Sequence, residues 1–262
     1  MKYSILPPQK LQVADSLLKA PANTFYEHSY DKLFGSYKVA WTDRFNEFTV
    51  KSSLRIHDFE GYAPNLSSVK YIIPAIQTYI ESRKNYIISR PLPFIVYEAI
   101  EKLENILNPM DKVLEFGSGN STVWFLKQQT RLTSIEHSKT WANAVKSFID
   151  KTEIEQETKR NFNFKLMQDQ TTLDYVNSLP DESFDVIFVD SSNGFNNRNI
   201  NLKNALSKLK NGGWMVLDNS DHPNNWPGGV YMDSMFKRER YTGYTPMGLY
   251  VSQTSFWQKR TT

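Results

Sequence analysis

The chain has 262 residues, 40% of them apolar and 23% charged, which fits a globular protein of one generous domain or one domain with an added region. It has no cysteine, so disulfides, thiolate nucleophiles and cysteine-ligated zinc or iron–sulfur centres are excluded. A net charge of +3 is too small to argue for nucleic acid, no apolar run reaches membrane-spanning length, and Met1 to Lys10 lack a signal-peptide core, so the cytoplasm is the expected compartment.

Residues 1–90 are weakly periodic and broken by Pro7-Pro8, Pro21, Gly35, Gly61, Pro64 and Pro74. A strand or two is expected around Glu47–Ile56, where Phe48, Val50 and Leu54 face one way. A helix is expected over Ser67–Ser82, with Tyr71, Ile72, Ala75, Ile76 and Tyr79 at helical spacing. Pro74 inside that span implies a kink or a later start. Phe25, Tyr26, Tyr30, Phe34, Tyr37 and Trp41 are candidates for an acceptor pocket or for ordinary core. Pro91 and Pro93 mark a boundary, and Phe94–Leu103 then reads as an amphipathic helix.

From Lys112 onward, strand and helix patterns alternate. Strands are expected at Lys112–Phe116, Arg131–Glu136, Asn163–Met167, Phe184–Val189 and Gly213–Leu217. Helices are expected at Ser121–Gln129, Lys139–Asp150, Thr172–Ser178 and Asn199–Leu209. Gly212-Gly213 reads as a helix stop and a tight turn into the fifth strand. Lys237-Arg238-Glu239-Arg240 reads as a solvated face, and Tyr241–Gln258 as two further strands bent near Pro246 and Gly248. The alternation predicts an α/β fold over residues 91–262, an open, mostly parallel sheet with helices on both faces. Residues 1–90 would be a helical or irregular extension, serving as an acceptor-binding or lid region.

In such a sheet, ligands bind beyond the carboxyl ends of the strands, beside strand one. Glu115-Phe116-Gly117-Ser118-Gly119 lies there. Gly117 and Gly119 allow a sharp turn and close backbone approach, and Asn120, Ser121 and Thr122 open the next helix with free N–H groups. A dinucleotide loop would place a third glycine at Thr122. Glu115, just before the first glycine, would repel a pyrophosphate and attract an ammonium. The loop therefore favours a cationic sulfonium cofactor. Glu136 ends the second strand about 19 residues after Gly117, where a carboxylate can accept from both ribose hydroxyls. His137 follows, placed to pack near adenine, and Asp169 lies where it can accept from an adenine amino group.

With these residues in view, 93–258 resemble the class I S-adenosylmethionine-dependent methyltransferases, nearest to the small-molecule O-methyltransferase type. VLEFGSGNST is similar to that family's glycine motif and SIEH to its ribose-binding strand end. FDVIFVDSS and GGWMVLDNSD resemble its fourth and fifth strands, and TSFWQK its antiparallel last strand. The resemblance implies a seven-stranded, Rossmann-like sheet, methyl transfer and S-adenosylmethionine as cofactor. The residues implied to hold it are Glu115, Gly117, Ser118, Gly119, Ser121, Thr122, Glu136, His137, Asp169 and Asp190. It does not identify the acceptor, and residues 1–90 share in none of it.

On the acceptor side, Asp190 ends strand four, and Asp218 and Asn219 end strand five. Two carboxylates and an amide oxygen are the donors that Mg²⁺ or Ca²⁺ takes. The pattern resembles metal-dependent catechol-type O-methyltransferases, in which Mg²⁺ would lower the acceptor hydroxyl's pKa. It departs from them at Asn193, where that type carries a lysine base. Turn chemistry is the competing reading of Asp218-Asn219. Asp190 and His222 are the catalytic candidates, His222 because its ordinary pKa suits a general base. Asn219–Gly229, with Trp226, reads as a lid loop. The expected partner is a small-molecule acceptor; no basic stripe points to nucleic acid, and a homo-oligomer is compatible. An NAD(P)-binding oxidoreductase, a non-catalytic Rossmann-like interaction module and an aminopropyltransferase are the alternatives.

Overall fold

The computed structural model describes residues 56–84, 90–191 and 197–260. The strand expected at Glu47–Ile56 and the aromatics from Phe25 to Trp41 lie outside the described residues, apart from Ile56 itself. After a 3₁₀ turn over Leu66–Tyr71 comes helix α1 (Ile72–Lys84). Pro74 falls in its first turn, where no N–H is needed, so the helix starts late instead of kinking. Its inner face differs from the expected one. Tyr71, Ala75 and Thr78 are buried, whereas Ile76 is exposed. The rotation follows its partner: Tyr71 stacks on Tyr97 at 4.8 Å, and Thr78 Oγ1 lies 3.4 Å from the Tyr97 hydroxyl.

Helix α2 (Tyr97–Ile106) begins after Ile95 and Val96, both fully buried. The alternating run is β1 (Lys112–Phe116), α3 (Asn120–Lys127), β2 (Arg131–Glu136), α4 (Lys139–Lys151), α5 (Gln156–Arg160), β3 (Asn163–Leu166), α6 (Asp169–Ser178), β4 (Phe184–Val189), α7 (Asn197–Ala205), β5 (Leu209–Asp218), α8 (Trp226–Asp233), β6 (Arg238–Tyr244) and β7 (Val251–Gln258). The seven strands form one sheet in the order β3-β2-β1-β4-β5-β7-β6. All are parallel except β7, which runs antiparallel to β5 and β6.

Successive strand residues point to opposite faces, so the central strands feed two cores. Val113, Val186, Phe188, Val216 and Phe256 face one, joined by Tyr71 and Ala75 from the extension. Leu114, Phe116, Ile187, Val189, Met215 and Leu217 face the other, with Leu202 from α7.

Three expectations need correction. Gly212-Gly213 is not a turn into β5 but lies within it: the strand begins at Leu209, directly after a 3₁₀ turn over Leu206–Lys208. Gly212 takes φ +82°, and the β4–β5 register shifts between Phe184 and Val186, so the glycines form an irregularity inside the ladder. Second, Asn219–Gly229 is no open loop. Pro223–Asn225 is a 3₁₀ turn running into α8, Trp226 is buried, and its Nε1 donates to the Asp221 carbonyl at 2.7 Å. Asn199 clamps this segment to α7, accepting from Gly228 N–H and donating to the Asn224 carbonyl, both at 2.7 Å. Third, the basic cluster is not wholly solvated. The Arg238 side chain is 7% exposed, pairs with Asp233 at 2.7 Å and lies over the Trp257 ring.

Part of the extension is pinned beside the carboxyl end of β5. Asp58 is fully buried. Its carboxylate accepts from the N–H groups of Glu60 and Tyr62, from Thr242 Oγ1 on β6 and from Gln253 Nε2 on β7. Phe59 N–H donates to Asp221 Oδ2 at 2.9 Å. Among the described residues, no helix is long and apolar enough to cross a membrane.

Candidate cofactor and acceptor site

The glycine loop sits where β1 ends and is held between β2 and the end of β4. Gly117 N–H donates to the Ile135 carbonyl on β2, and Asp190 N–H donates to the Phe116 carbonyl, each at 2.9 Å. Gly117 has φ +92°, and a Cβ there would lie 2.6 Å from the Asp190 carbonyl oxygen and from Ser191 Cα. The fold itself therefore demands glycine at 117. Gly119 is different. Its φ of 178° is ordinary extended backbone, and a Cβ would meet only Trp141 Cζ2, at 3.8 Å. Nothing in the described protein requires glycine there, so a side chain would intrude only on the space above the loop.

Glu115 is fully buried and turns inward. It accepts hydrogen bonds from Ser121 Oγ (2.6 Å), Thr122 Oγ1 (2.7 Å) and Ser134 Oγ (2.5 Å). The expectation that it reaches out to an ammonium is therefore revised: its oxygens are spent on tying the glycine loop to α3 and β2. Ser118 Oγ joins the cluster through Ser134 Oγ at 2.6 Å, and Gly119 N–H donates to Thr122 Oγ1 at 2.8 Å. Burial pushes the Glu115 carboxyl from 4.5 up to about 7, outweighing its three hydroxyl donors. An acid raised in the fold costs stability as pH climbs from its ordinary value to its folded one, and the cost is constant above. Glu115→Gln carries no such proton. From pH 4.5 to about 8, its stability relative to wild type should rise by on the order of 3 kcal/mol, read from urea midpoints. A pH-independent difference would refute this.

Glu136 is 3% exposed at the end of β2. Its Oε1 accepts from the N–H groups of His137 (2.9 Å) and Ser138 (2.7 Å), and its Oε2 from Ser118 N–H (3.1 Å). A carboxylate offers about four acceptor positions. Three are taken by backbone N–H groups, which leaves one on Oε2. His137 Nδ1 lies 3.1 Å from Glu136 Oε1, and the His137 carbonyl accepts from Gln168 Nε2 at 2.8 Å. The backbone of Asp169 opens α6 just past β3, and its side chain lies outside the described residues. Trp141 was not foreseen as a site residue. Its indole N–H donates to the Ser118 carbonyl, so its ring walls the loop beside Gly119. Trp141 lies in the helix expected over Lys139–Asp150, and its position there carries no motif.

Asp190, Asp218 and Asn219 converge at the mouth of β4 and β5, as expected. They converge on Arg198, which was not foreseen. Its Nη2 donates to Asp190 Oδ1 (2.8 Å), and its Nη1 donates to Asn219 Oδ1 (3.1 Å) and the Asp218 carbonyl (2.5 Å). Its Nε donates to the Ser191 carbonyl at 2.7 Å, and Nη1 lies 3.9 Å from Asp218 Oδ2. Asp218 Oδ1 accepts from Thr254 Oγ1 at 2.7 Å. This donor set does not fit a divalent ion, because a cation of the protein's own already occupies its centre. Burial raises both carboxyls, facing Asp190 raises Asp218 further, and Arg198 opposes both shifts. Asn219 has φ 48°, which asparagine tolerates, and its Nδ2 donates to Ser252 Oγ at 3.1 Å. Asn193 lies outside the described residues.

His222 Nδ1 accepts from Asn224 N–H at 3.2 Å, and its ring meets Phe59 edge-on at 5.3 Å. In the neutral ring that bond puts the proton on Nε2, which makes Nε2 a donor rather than a base.

Residues 114–220 match the family model described as a methyltransferase domain. Two solved structures share the fold. One is the O-methyltransferase TomG from Streptomyces achromogenes, involved in tomaymycin synthesis and solved with SAM. It is 17% identical, with a TM-score of 0.51 over 75% of this chain and 97% of its own. The other, a cofactor-bound protein from MTB, is 17% identical, with a TM-score of 0.50 over 77% of this chain and all of its own. No curated protein sequence matches the chain.

Proposed function

We propose that the chain is an S-adenosylmethionine-dependent methyltransferase that moves the methyl group to a hydroxyl of a small-molecule acceptor, a reading supported by the match of residues 114–220 to the methyltransferase-domain model. The observation that carries the reading is Gly119: a glycine that the fold does not need, beside Trp141 and above a loop tied down by Glu115 and Glu136. Such a position suits a ligand that lies against backbone. The O-methyltransferase described for TomG supports the choice of a hydroxyl.

In this reading S-adenosylmethionine supplies the electrophilic methyl group. Glu136 accepts from a ribose hydroxyl through its remaining position. The backbone of Gly117, Ser118 and Gly119 and the start of α3, with Ser121 and Thr122 held by Glu115, form the floor of the cofactor site. His137 and Asp169 flank the adenine end. Asp190, whose carbonyl packs against Gly117, stands between cofactor and acceptor and takes the acceptor's proton. His222 lies on the acceptor side as a hydrogen-bond donor. Methyl transfer is an in-line displacement, so alignment supplies most of the rate.

The test is a melting comparison with S-adenosylhomocysteine and with NADH. A ligand at about 100 times its Kd stabilises by about 2.7 kcal/mol. S-adenosylhomocysteine should raise the melting temperature of the wild type. Gly119→Val should fold as the wild type does and lose that response, by about tenfold or more in Kd. Stabilisation by NADH alone would overturn the reading in favour of a dinucleotide enzyme.

A further inference from the structure

We propose that the guanidinium of Arg198 occupies the cation position between Asp190, Asp218 and Asn219, so that the acceptor is held and deprotonated at this mouth without a divalent metal. The acceptor part rests on the methyltransferase reading; the cation part stands on geometry alone.

The three side chains that end β4 and β5 have the oxygen chemistry of a Mg²⁺ or Ca²⁺ site. Each is already engaged. Asp190 Oδ1 and Asn219 Oδ1 accept from Arg198 at 2.8 and 3.1 Å. Asp218 has Arg198 on one oxygen and Thr254 Oγ1 on the other. Asn219 Nδ2 donates to Ser252 Oγ, which fixes the amide with its oxygen toward the guanidinium. Arg198 is itself only 4% exposed and is anchored by the backbone carbonyls of Ser191 and Asp218. A guanidinium presents donors in a rigid planar fork, whereas a metal ion leaves coordination positions open. A dication entering here would have to displace Arg198 or face a like charge a few ångströms away.

The acceptor class follows from this. A metal centre with open positions selects for acceptors that chelate it, such as vicinal diols. A site closed by arginine offers no such positions, so a single hydroxyl suffices. Arg198 engages one Asp190 oxygen and leaves Oδ2, on a side chain 20% exposed, to face the acceptor. The acceptor's O–H proton passes to Asp190 as its oxygen bonds to the methyl carbon, and the carbon–sulfur bond breaks with its electron pair going to sulfur. The products are the methyl ether, S-adenosylhomocysteine and a proton. Arg198 touches none of the reacting atoms and acts as a positioning residue through Asp190.

The experiment is a Mn²⁺ titration of the full chain, read by the electron paramagnetic resonance of free Mn²⁺, with melting temperatures in Mg²⁺ and in chelator. The wild type should leave the Mn²⁺ signal unchanged and melt alike in both buffers. Arg198→Ala should expose the donors, take up about one Mn²⁺ per chain and melt higher with Mn²⁺ than in chelator; adding Asp218→Asn should abolish the uptake. Arg198→Lys retains the charge and should stay silent, which keeps the test decisive if the alanine variant does not fold. A wild type that binds one Mn²⁺, lost with Asp218→Asn, overturns the proposal. So does a folded Arg198→Ala that binds none, or an Arg198→Lys that binds one. S-adenosylhomocysteine binding by the wild type is measured in parallel. Its failure would sink the methyltransferase reading and leave the Mn²⁺ result standing.

Discussion

Gly117→Ala should remove about 2–6 kcal/mol of stability and abolish S-adenosylhomocysteine binding. Two costs add. The backbone at 117 has φ +92°, which side chains other than glycine adopt only under strain of about 1–3 kcal/mol. The new Cβ would also lie 2.6 Å from the Asp190 carbonyl oxygen and Ser191 Cα. Those are backbone atoms at the end of a central strand, so they cannot rotate away as a side chain could, and overpacking of this kind costs about 1–3 kcal/mol more. Total stabilities run to about 5–15 kcal/mol, so the loss should be plain in urea unfolding. Gly119→Ala is the paired control and should unfold within about 0.5 kcal/mol of the wild type. If Gly117→Ala were equally mild, the close packing of β1 against β4 that brings Asp190 to the loop would be wrong.

Arg198→Met should cost about 3–5 kcal/mol, the loss expected when one partner leaves a buried ion network. Methionine fills comparable volume, so a cavity contributes little. What remains is the uncompensated charge of Asp190 and two carbonyls, Ser191 and Asp218, without their donor. The same substitution in an Asp190→Asn, Asp218→Asn background should cost only about 1–3 kcal/mol, because there only hydrogen bonds are lost. The coupling between these two values is the quantity to measure, by a double-mutant cycle in urea. Equal costs in both backgrounds would mean that Arg198 is a packing residue and not a counter-charge.

These two positions differ in how far the sequence announced them. Gly117 was legible because a glycine after an apolar strand and before a helix has few other uses. Arg198 was not. It sits in the Asn-rich run Asn196-Asn197-Arg198-Asn199, eight residues past Asp190, with no spacing that marks it. Its partners come from the ends of β4 and β5, so only the tertiary fold brings them to it. Asp58 was hidden for the same reason: its bonds to Thr242 and Gln253 span most of the chain. Glu115 and Glu136 were correctly placed at strand ends, but their hydrogen bonds to the loop could not be read from spacing. Each of them spends most of its acceptor capacity inside the protein.

What the sequence determined by itself was the order of the strands β1 to β5 and four of the helices between them, though not the short α5. β1, β2 and β4 have the bounds read from their patterns, and β4, buried on both faces, carries a nearly continuous apolar signature. It also determined which strand ends carry acids. What only the tertiary structure decided was which way those acids turn and which charge meets them. Local patterns encode burial, whereas the partner of a buried polar group is set by elements far away in the chain. The carboxylates of Asp190 and Asp218 have the chemistry of metal ligands in the sequence; in the fold the guanidinium of Arg198 lies between them.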